Sequence, residues 1–240
     1  MEKKKHILLL TTGGTIACAP GSDGLEPQSS AIMAHSLDRL RHYYDITVQD
    51  LMCLDSSNIR PGEWQRIART VFEQRAHFDG IVISHGTDTM AYTASALSFM
   101  LEDLGKPVIL TGSQLPIGVL RTDGKENLIT SIEIAAACHP DGSPMVPEVC
   151  VLFENHLMRG NRTTKLNAEN FNAFRSYNYP HLAEIGIHIK YDFMQIHREK
   201  TPLRLHPHYL LDTNVAILKL FPGIQENVVD AILSIPGLKA

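Results

Sequence analysis

Long apolar runs are missing from this chain of 240 residues. No stretch approaches the roughly 20 consecutive apolar residues that a membrane-crossing helix requires, so no membrane partner is expected. The charged start is followed only by Ile7–Leu10, too short for the apolar centre of a secretory leader, and a cytoplasmic location is expected. Positive charge is also short. Lys and Arg number 22 against 26 Asp and Glu, a formal net charge of -4, which argues against a nucleic-acid polyanion as partner. The one basic cluster, Lys3-Lys4-Lys5, reads as a solvated tail. Cys18, Cys53, Cys138 and Cys150 form no C-x-x-C pair, so neither a zinc site nor a redox dithiol is signalled, and all four read as buried free thiols. Histidine is plentiful, yet no H-E-x-x-H or comparable grouping occurs, and the His206-Pro207-His208 pair reads as surface linker. These spacings signal no metal site.

What is present is an alternation of two periodicities. Short continuous apolar runs at His6–Leu10, Ile46–Leu54, Gly80–Ser84, Pro107–Thr111 and Val149–Phe153 have the length and composition of strands. Between them lie helical patterns at Ala31–Tyr44, Pro61 to about His77, Thr89–Leu101 and Gly124–Cys138. Apolar strands alternating with helices predict an α/β domain whose doubly wound, mostly parallel sheet is flanked by helices on both faces. After about Tyr191 the period is lost through "FMQIHREKTPLRLHPHYL", which reads as a connection. A fresh strand at Val215–Leu220 and one helix then follow. The expected organisation is an N-terminal α/β domain over 1–191, a linker over 192–212, and over 213–240 the start of a second, smaller α/β domain that is cut short.

In an open parallel sheet, ligands bind beyond the carboxyl ends of the strands. The residues placed there are Thr11-Thr12-Gly13-Gly14-Thr15, Asp55-Ser56-Ser57, His85-Gly86-Thr87-Asp88-Thr89 and Gly112-Ser113-Gln114. Four strand ends thus bring small hydroxyls, acids and glycines to one edge. Glycine and threonine beside a helix start also suit a phosphate. However, the chain has no G-x-x-x-x-G-K-[ST] and no G-x-G-x-x-G, and Gly124-Lys125 runs on into Glu126. A threonine hydroxyl serves alternatively as a nucleophile, which needs a base to take its proton, and a desolvated lysine is one such base. Each residue also has an ordinary reading: Thr12 as a turn hydroxyl, Thr87 and Asp88 as helix caps, Lys165 as a surface lysine, and Ser56, Ser57 and Asn58 as a helix start.

"TTGGTIA" at Thr11–Ala17 and "GIVISHGTDTMAYTA" at Gly80–Ala94 resemble the paired signatures of the bacterial L-asparaginase family. "RGNRTTK" at Arg159–Lys165 is similar to the lysine segment of its cytoplasmic, type I branch, and the likeness runs from the first strand to the final helix. The resemblance implies hydrolysis of the side-chain amide of L-asparagine to L-aspartate and ammonia through a threonine ester, without a cofactor and in a homo-oligomer. Carried over by position, Thr12 matches the first nucleophilic threonine, and Thr87, Asp88 and Lys165 match the second threonine, the acid and the lysine. Burial would keep Lys165 neutral part of the time, ready to take a relayed proton, while Asp88 holds the lysine or the substrate ammonium. Asp55, Ser56 and Ser57 match the segment that grips the substrate's α-amino and α-carboxylate ends, a grip in which Thr87 and Asp88 share. Backbone N–H groups near Gly13 and Thr87 are candidates for an oxyanion site, and His85 is read as structural. "CAPGSDGLEPQ" at Cys18–Gln28 matches a closing lid, with Leu25 where many periplasmic members place a tyrosine. Three readings stay open at this point: asparagine hydrolysis, a glutaminase or related amidase, and a silent asparagine- or aspartate-binding remnant.

Overall fold

The computed structural model describes residues 4–21, 24–28, 30–197 and 206–239. They fall into two compact units, Met1–His208 and Tyr209–Ala240. The first unit begins with strand β1 (His6–Gly13), a hairpin of β2 (Cys18–Gly21) and β3 (Gly24–Pro27), helix α1 (Ala34–Leu40) and strand β4 (Asp45–Leu54). It continues with α2 (Pro61–Gln74), β5 (Gly80–Ser84), α3 (Met90–Met100), β6 (Val108–Thr111), α4 (Gly124–Ala136) and β7 (Val149–Phe153). The chain then doubles back through β8 (His156–Arg159), pairs β9 (Thr164–Lys165) with β10 (Phe174–Arg175), and ends in β11 (Ala183–Ile185) and β12 (Ile189–Tyr191).

One eight-stranded sheet carries the unit, in the order β12-β11-β8-β7-β6-β5-β1-β4. From β4 to β7 every pairing is parallel, and from β7 to β12 every pairing is antiparallel. The sheet is therefore mixed but mostly parallel with helices on both faces, as the alternating pattern predicts. Strands β5, β6 and β7 are buried at every position because both faces are covered. Edge strand β4 alternates instead. On one face Ile7, Leu9, Val82, Ile109 and Cys150 pack with Leu37 of α1 and with Leu128 and Ile132 of α4. The intervening positions, Leu8, Leu10, Ile81 and Ile83, are equally buried on the other.

The order of the strands sets the site. Having left β1, the chain lays β4 on one side of it and then returns to lay β5 on the other. The crevice between the carboxyl ends of β1 and β5 is the point where the winding reverses, the place in such sheets where ligands bind. At that point the register between β1 and β4 shifts, from Thr11↔Asp50 to Gly13↔Leu54, with the extra residues on β4.

Several expectations need correction. The Ala31–Tyr44 helix is a 3-10 turn over Ser30–Met33 followed by α1 alone. The Cys18–Gln28 segment, whose two glycines and two prolines suggest a loop, is the β2–β3 hairpin, with Cys18 opposite Pro27, while Ser22 and Asp23 lie outside the described residues. Cys18 and Cys150 are buried, but Cys53 is exposed, because it faces outward from the edge strand. Lys4 donates to the Arg41 carbonyl at 2.8 Å and Lys5 sits 3.5 Å from Asp79, so both are tied down, and Lys3 lies outside the described residues.

In the connection expected over 192–212, Ile196 is buried and the His197 N–H donates to Glu148 at 2.6 Å, whereas residues 198–205 lie outside the described residues. The second unit, taken by itself, holds α5 (Glu226–Leu233), which buries no residue. The expected Val215–Leu220 strand is not formed: Val215 makes a single parallel bridge to Lys239. A strand needs a partner along its whole length, and the described residues of this unit supply one only at that point.

Candidate active site

Residues from the turn after β1, from the end of β4 and the turn that follows it, and from the turn after β5 surround a cavity of about 160 Å³. Its walls are Gly14 and Thr15, Cys18 and Leu25 of the hairpin, Leu54-Asp55-Ser56, and Gly86-Thr87-Asp88. The backbones meet closely here. A Cβ on Gly14 would lie 2.4 Å from the Gly86 Cα, and Gly14 holds φ 81°, ψ 171°, a conformation reserved for glycine. A Cβ on Gly86 would in turn lie 2.5 Å from the Ser56 Oγ. The glycines therefore let three strand ends close on one another.

Thr87, Asp88 and Lys165 come together. The Lys165 Nζ donates to the Thr87 Oγ1 at 2.8 Å and to the Asp88 Oδ1 at 2.6 Å. Thr87 is 7% exposed, the Lys165 side chain 16% and the Asp88 side chain 62%, so the amine bridges a buried hydroxyl and a carboxylate open to solvent. Neither Thr87 nor Asp88 caps the following helix. The N-cap of α3 is Thr89, whose hydroxyl donates instead to the Ser56 carbonyl at 2.7 Å. Lys165 is no ordinary surface lysine either, since its head is held by two partners.

Thr12 is 1% exposed and its Oγ1 donates to the Ser84 carbonyl at 2.9 Å. The hydroxyl thus bonds the neighbouring strand rather than capping its own turn, and Thr12 is not among the residues that wall the cavity. Thr11 faces away, donating to Asp50 at 2.6 Å, a bond that holds the Asp50 carboxyl below its ordinary range. Asp55 accepts from the Ser57 N–H at 2.9 Å and from the Ser57 Oγ at 2.6 Å, and these bonds lower its carboxyl in the same way. It caps the short turn Ser56–Asn58, so Asp55, Ser56 and Ser57 form one rigid corner with Ser56 buried beneath. The helix start is separate: Glu63 accepts from the Arg60 N–H at 2.8 Å at the head of α2.

The sequence pattern places Gln114 at the sheet edge without giving it a role. Its Nε2 donates to the Ala168 and Asn170 carbonyls at 2.9 and 3.0 Å, which leaves Oε1 to accept from the Thr87 hydroxyl at 3.3 Å. Gln114 therefore ties Thr87 to the loop that follows Lys165. Asn127, buried on α4, links the Gly112 carbonyl to the Glu154 N–H. Among the described residues no three His, Cys, Asp or Glu side chains converge as a metal site would require.

A buried hydroxyl bonded to a lysine, with an acid beside them at a winding-reversal crevice, is the kind of side-chain set found in an acyl-transfer hydrolase site. Comparison with known proteins narrows the class. The family model described as Asparaginase, N-terminal matches residues 6–197. L-asparaginase 1 of Escherichia coli (strain K12) is 42% identical, over 98% of this chain and 69% of its own length. The 60 kDa lysophospholipase of Mus musculus is 43% identical, over 98% of this chain and 45% of its own. The solved L-asparaginase I from Vibrio cholerae superposes with a TM-score of 0.86 at 38% identity, covering 98% of this chain and 70% of that one. The chain belongs to the asparaginase family.

Proposed function

We propose that this chain hydrolyses the side-chain amide of L-asparagine to L-aspartate and ammonia through a threonine acyl-enzyme. The observation that carries the reading is the Thr87–Lys165–Asp88 cluster, in which an amine from β9 reaches both a hydroxyl and a carboxylate at the end of β5. The cavity of about 160 Å³ is well below the roughly 300–1,000 Å³ of drug-sized pockets and suits one small amino acid. Asp55, with Ser56 and Ser57 fixed around it, offers a carboxylate for the substrate ammonium and hydroxyls for its α-carboxylate. Asp88 adds a second carboxylate to the lining of the same cavity.

Chemistry then follows from the donors and acceptors. The Thr12 oxygen bonds to the amide carbon, and its proton passes to the Lys165 amine by way of the Thr87 hydroxyl, which turns from Gln114 to do so. The tetrahedral oxyanion is met by backbone N–H groups near Gly13 and Thr87. Collapse expels ammonia, which takes a proton from the lysine, and water then cleaves the ester by the same relay in reverse. For the first step the Thr12 hydroxyl must leave the Ser84 carbonyl, a rotation that substrate in the cavity would induce. The same reading makes the working enzyme a cytoplasmic homo-oligomer, with a second, smaller domain beginning beyond the linker.

The decisive experiment is ammonia release from L-asparagine, with L-glutamine and the Thr12→Ala protein alongside. Release from asparagine that disappears in Thr12→Ala is expected. Equal release from glutamine would favour a broader amidase, and aspartate binding without turnover would favour a silent binding protein.

A further inference from the structure

His85 is wholly buried, immediately before the cluster, and its hydrogen bonds determine its protonation. Its Nδ1 lies 2.7 Å from the Gly86 carbonyl. A carbonyl only accepts, so Nδ1 carries the proton. Nε2 must then accept, and the Thr93 Oγ1 at 2.9 Å is the donor. Having given its proton to the histidine, the Thr93 oxygen accepts the indole N–H of Trp64 at 2.9 Å. The relay runs one way only, Trp64 to Thr93 to His85 to the Gly86 carbonyl, and joins α2, α3 and the end of β5. Burial lowers the imidazole from its ordinary 6.5 to about 4, so the ring is neutral at physiological pH.

Drawing the Gly86 carbonyl inward onto the ring has a geometric consequence. In a trans peptide the C=O and the following N–H point in opposite directions. The Thr87 N–H is thereby turned away from the His85 ring, and Thr87 is itself a wall of the cavity. No protein acceptor takes that N–H among the described residues.

We infer that His85, held by Thr93 and Trp64, is a positioning residue: it locks the Gly86–Thr87 peptide so that the Thr87 N–H faces the developing oxyanion and the Thr87 hydroxyl meets Lys165. The inference deepens the asparagine-hydrolysis reading and rests on it. His85 touches no reacting atom and transfers no proton. It acts through one carbonyl, and the surrounding contacts hold the histidine's own backbone in place: a Cβ on Gly112 would already lie 2.3 Å from the His85 carbonyl oxygen. Backbone displacement here moves both the oxyanion donor and the second hydroxyl, and misplacement by about 1 Å reduces turnover on the order of 10²-fold.

The test uses the full chain in three variants. His85→Leu removes the donor to Gly86; His85→Asn keeps an N–H at the Nδ1 position; and Thr93→Val, which preserves shape in case His85→Leu does not fold, breaks the relay one step back. With asparagine, His85→Leu and Thr93→Val are expected to lose kcat by about 10²-fold with KM little changed, and His85→Asn to recover most of it. Long-range proton–nitrogen correlation in the wild-type protein is expected to show a neutral Nδ1–H ring, and the backbone amide resonances of Gly86–Asp88 to move in His85→Leu without any ligand. Those two spectroscopic readouts need no turnover, so a wild-type protein that released no ammonia would sink the asparaginase reading while leaving this one tested. An Nε2–H ring, unmoved amides, or an unchanged kcat in folded His85→Leu each overturns the inference.

Discussion

The close approach of Gly14 to Gly86 gives a substitution whose effect can be worked out in advance. In Gly14→Ala the new methyl would lie 2.4 Å from both the Gly86 Cα and N and 2.8 Å from the His85 carbonyl carbon. These are backbone atoms and cannot rotate aside as a flexible side chain would. The φ of +81° with ψ near 171° adds strain of about 1–3 kcal/mol for any residue with a Cβ. Overpacking against fixed atoms adds a similar amount, about 1–3 kcal/mol. Together they predict destabilisation of about 2–6 kcal/mol, with the strain concentrated on the turn that carries Thr87 and Asp88. Urea unfolding followed by tryptophan fluorescence gives the stability, since Trp64 is the single tryptophan, and ammonia release from asparagine gives the activity. The matched control is Gly62→Ala in α2, where a Cβ meets nothing within 4 Å and which is expected to be neutral or to stabilise by up to about 1 kcal/mol. A Gly14→Ala protein as stable and as active as Gly62→Ala would refute the argument that the first glycine pair exists to bring two strand ends together.

Three further outcomes rest on the same geometry. Lys165→Met leaves Thr87 and Asp88 without their common donor and is expected to reduce ammonia release by about 10²–10⁴-fold while leaving circular dichroism unchanged. Glu148→Gln breaks a paired, mostly buried arrangement in which Arg159 donates at 2.6 and 2.9 Å, and loss of about 3–5 kcal/mol is expected in the same urea titration. His85 titrates lower folded than unfolded, so between pH 6.5 and about 4 the unfolded chain binds the extra proton and stability falls as the pH falls. The loss should approach about 3 kcal/mol by pH 4, and a His85→Asn protein, lacking the group, should not show that component.

Much of the frame is legible in the sequence because burial on both faces writes an unambiguous signal. Gly80–Ser84 and Val149–Phe153 are continuous apolar runs, and both strands occupy those residues. Helix ends are less legible. Ala31–Tyr44 carries helical spacing, yet only Ala34–Leu40 is α-helix, because spacing does not distinguish a 3-10 turn from an α-helix over a few residues. The antiparallel return through β8, β11 and β12 leaves little trace because those strands are three or four residues long, too short for alternation to register. Gln114 stands in plain view at a strand end, but a glutamine whose partners are distant backbone carbonyls leaves no local pattern. Val215–Leu220 reads as a strand on composition alone, which carries no information about whether a partner exists.

That hidden return is what completes the cluster. A parallel sheet with helical crossovers presents at its carboxyl edge only the residues just beyond each parallel strand, and the sequence from β1 to β7 places threonines, acids, serines and glutamine there but not Lys165. The lysine arrives because β8 runs antiparallel to β7 and hands the chain to the Gly160–Arg162 turn and then to β9. Gly160 makes the passage possible: a Cβ there would lie 2.9 Å from the Val149 carbonyl and 3.0 Å from that of Ala94, wedged between β7 and α3. A Gly160→Val substitution should therefore push the turn outward and lengthen the 2.8 Å contact between Lys165 and Thr87, although neither residue is altered. Loss of ammonia release in a protein that still unfolds cooperatively is the expected result, and full activity would mean that Lys165 is positioned by something other than the packing of this turn.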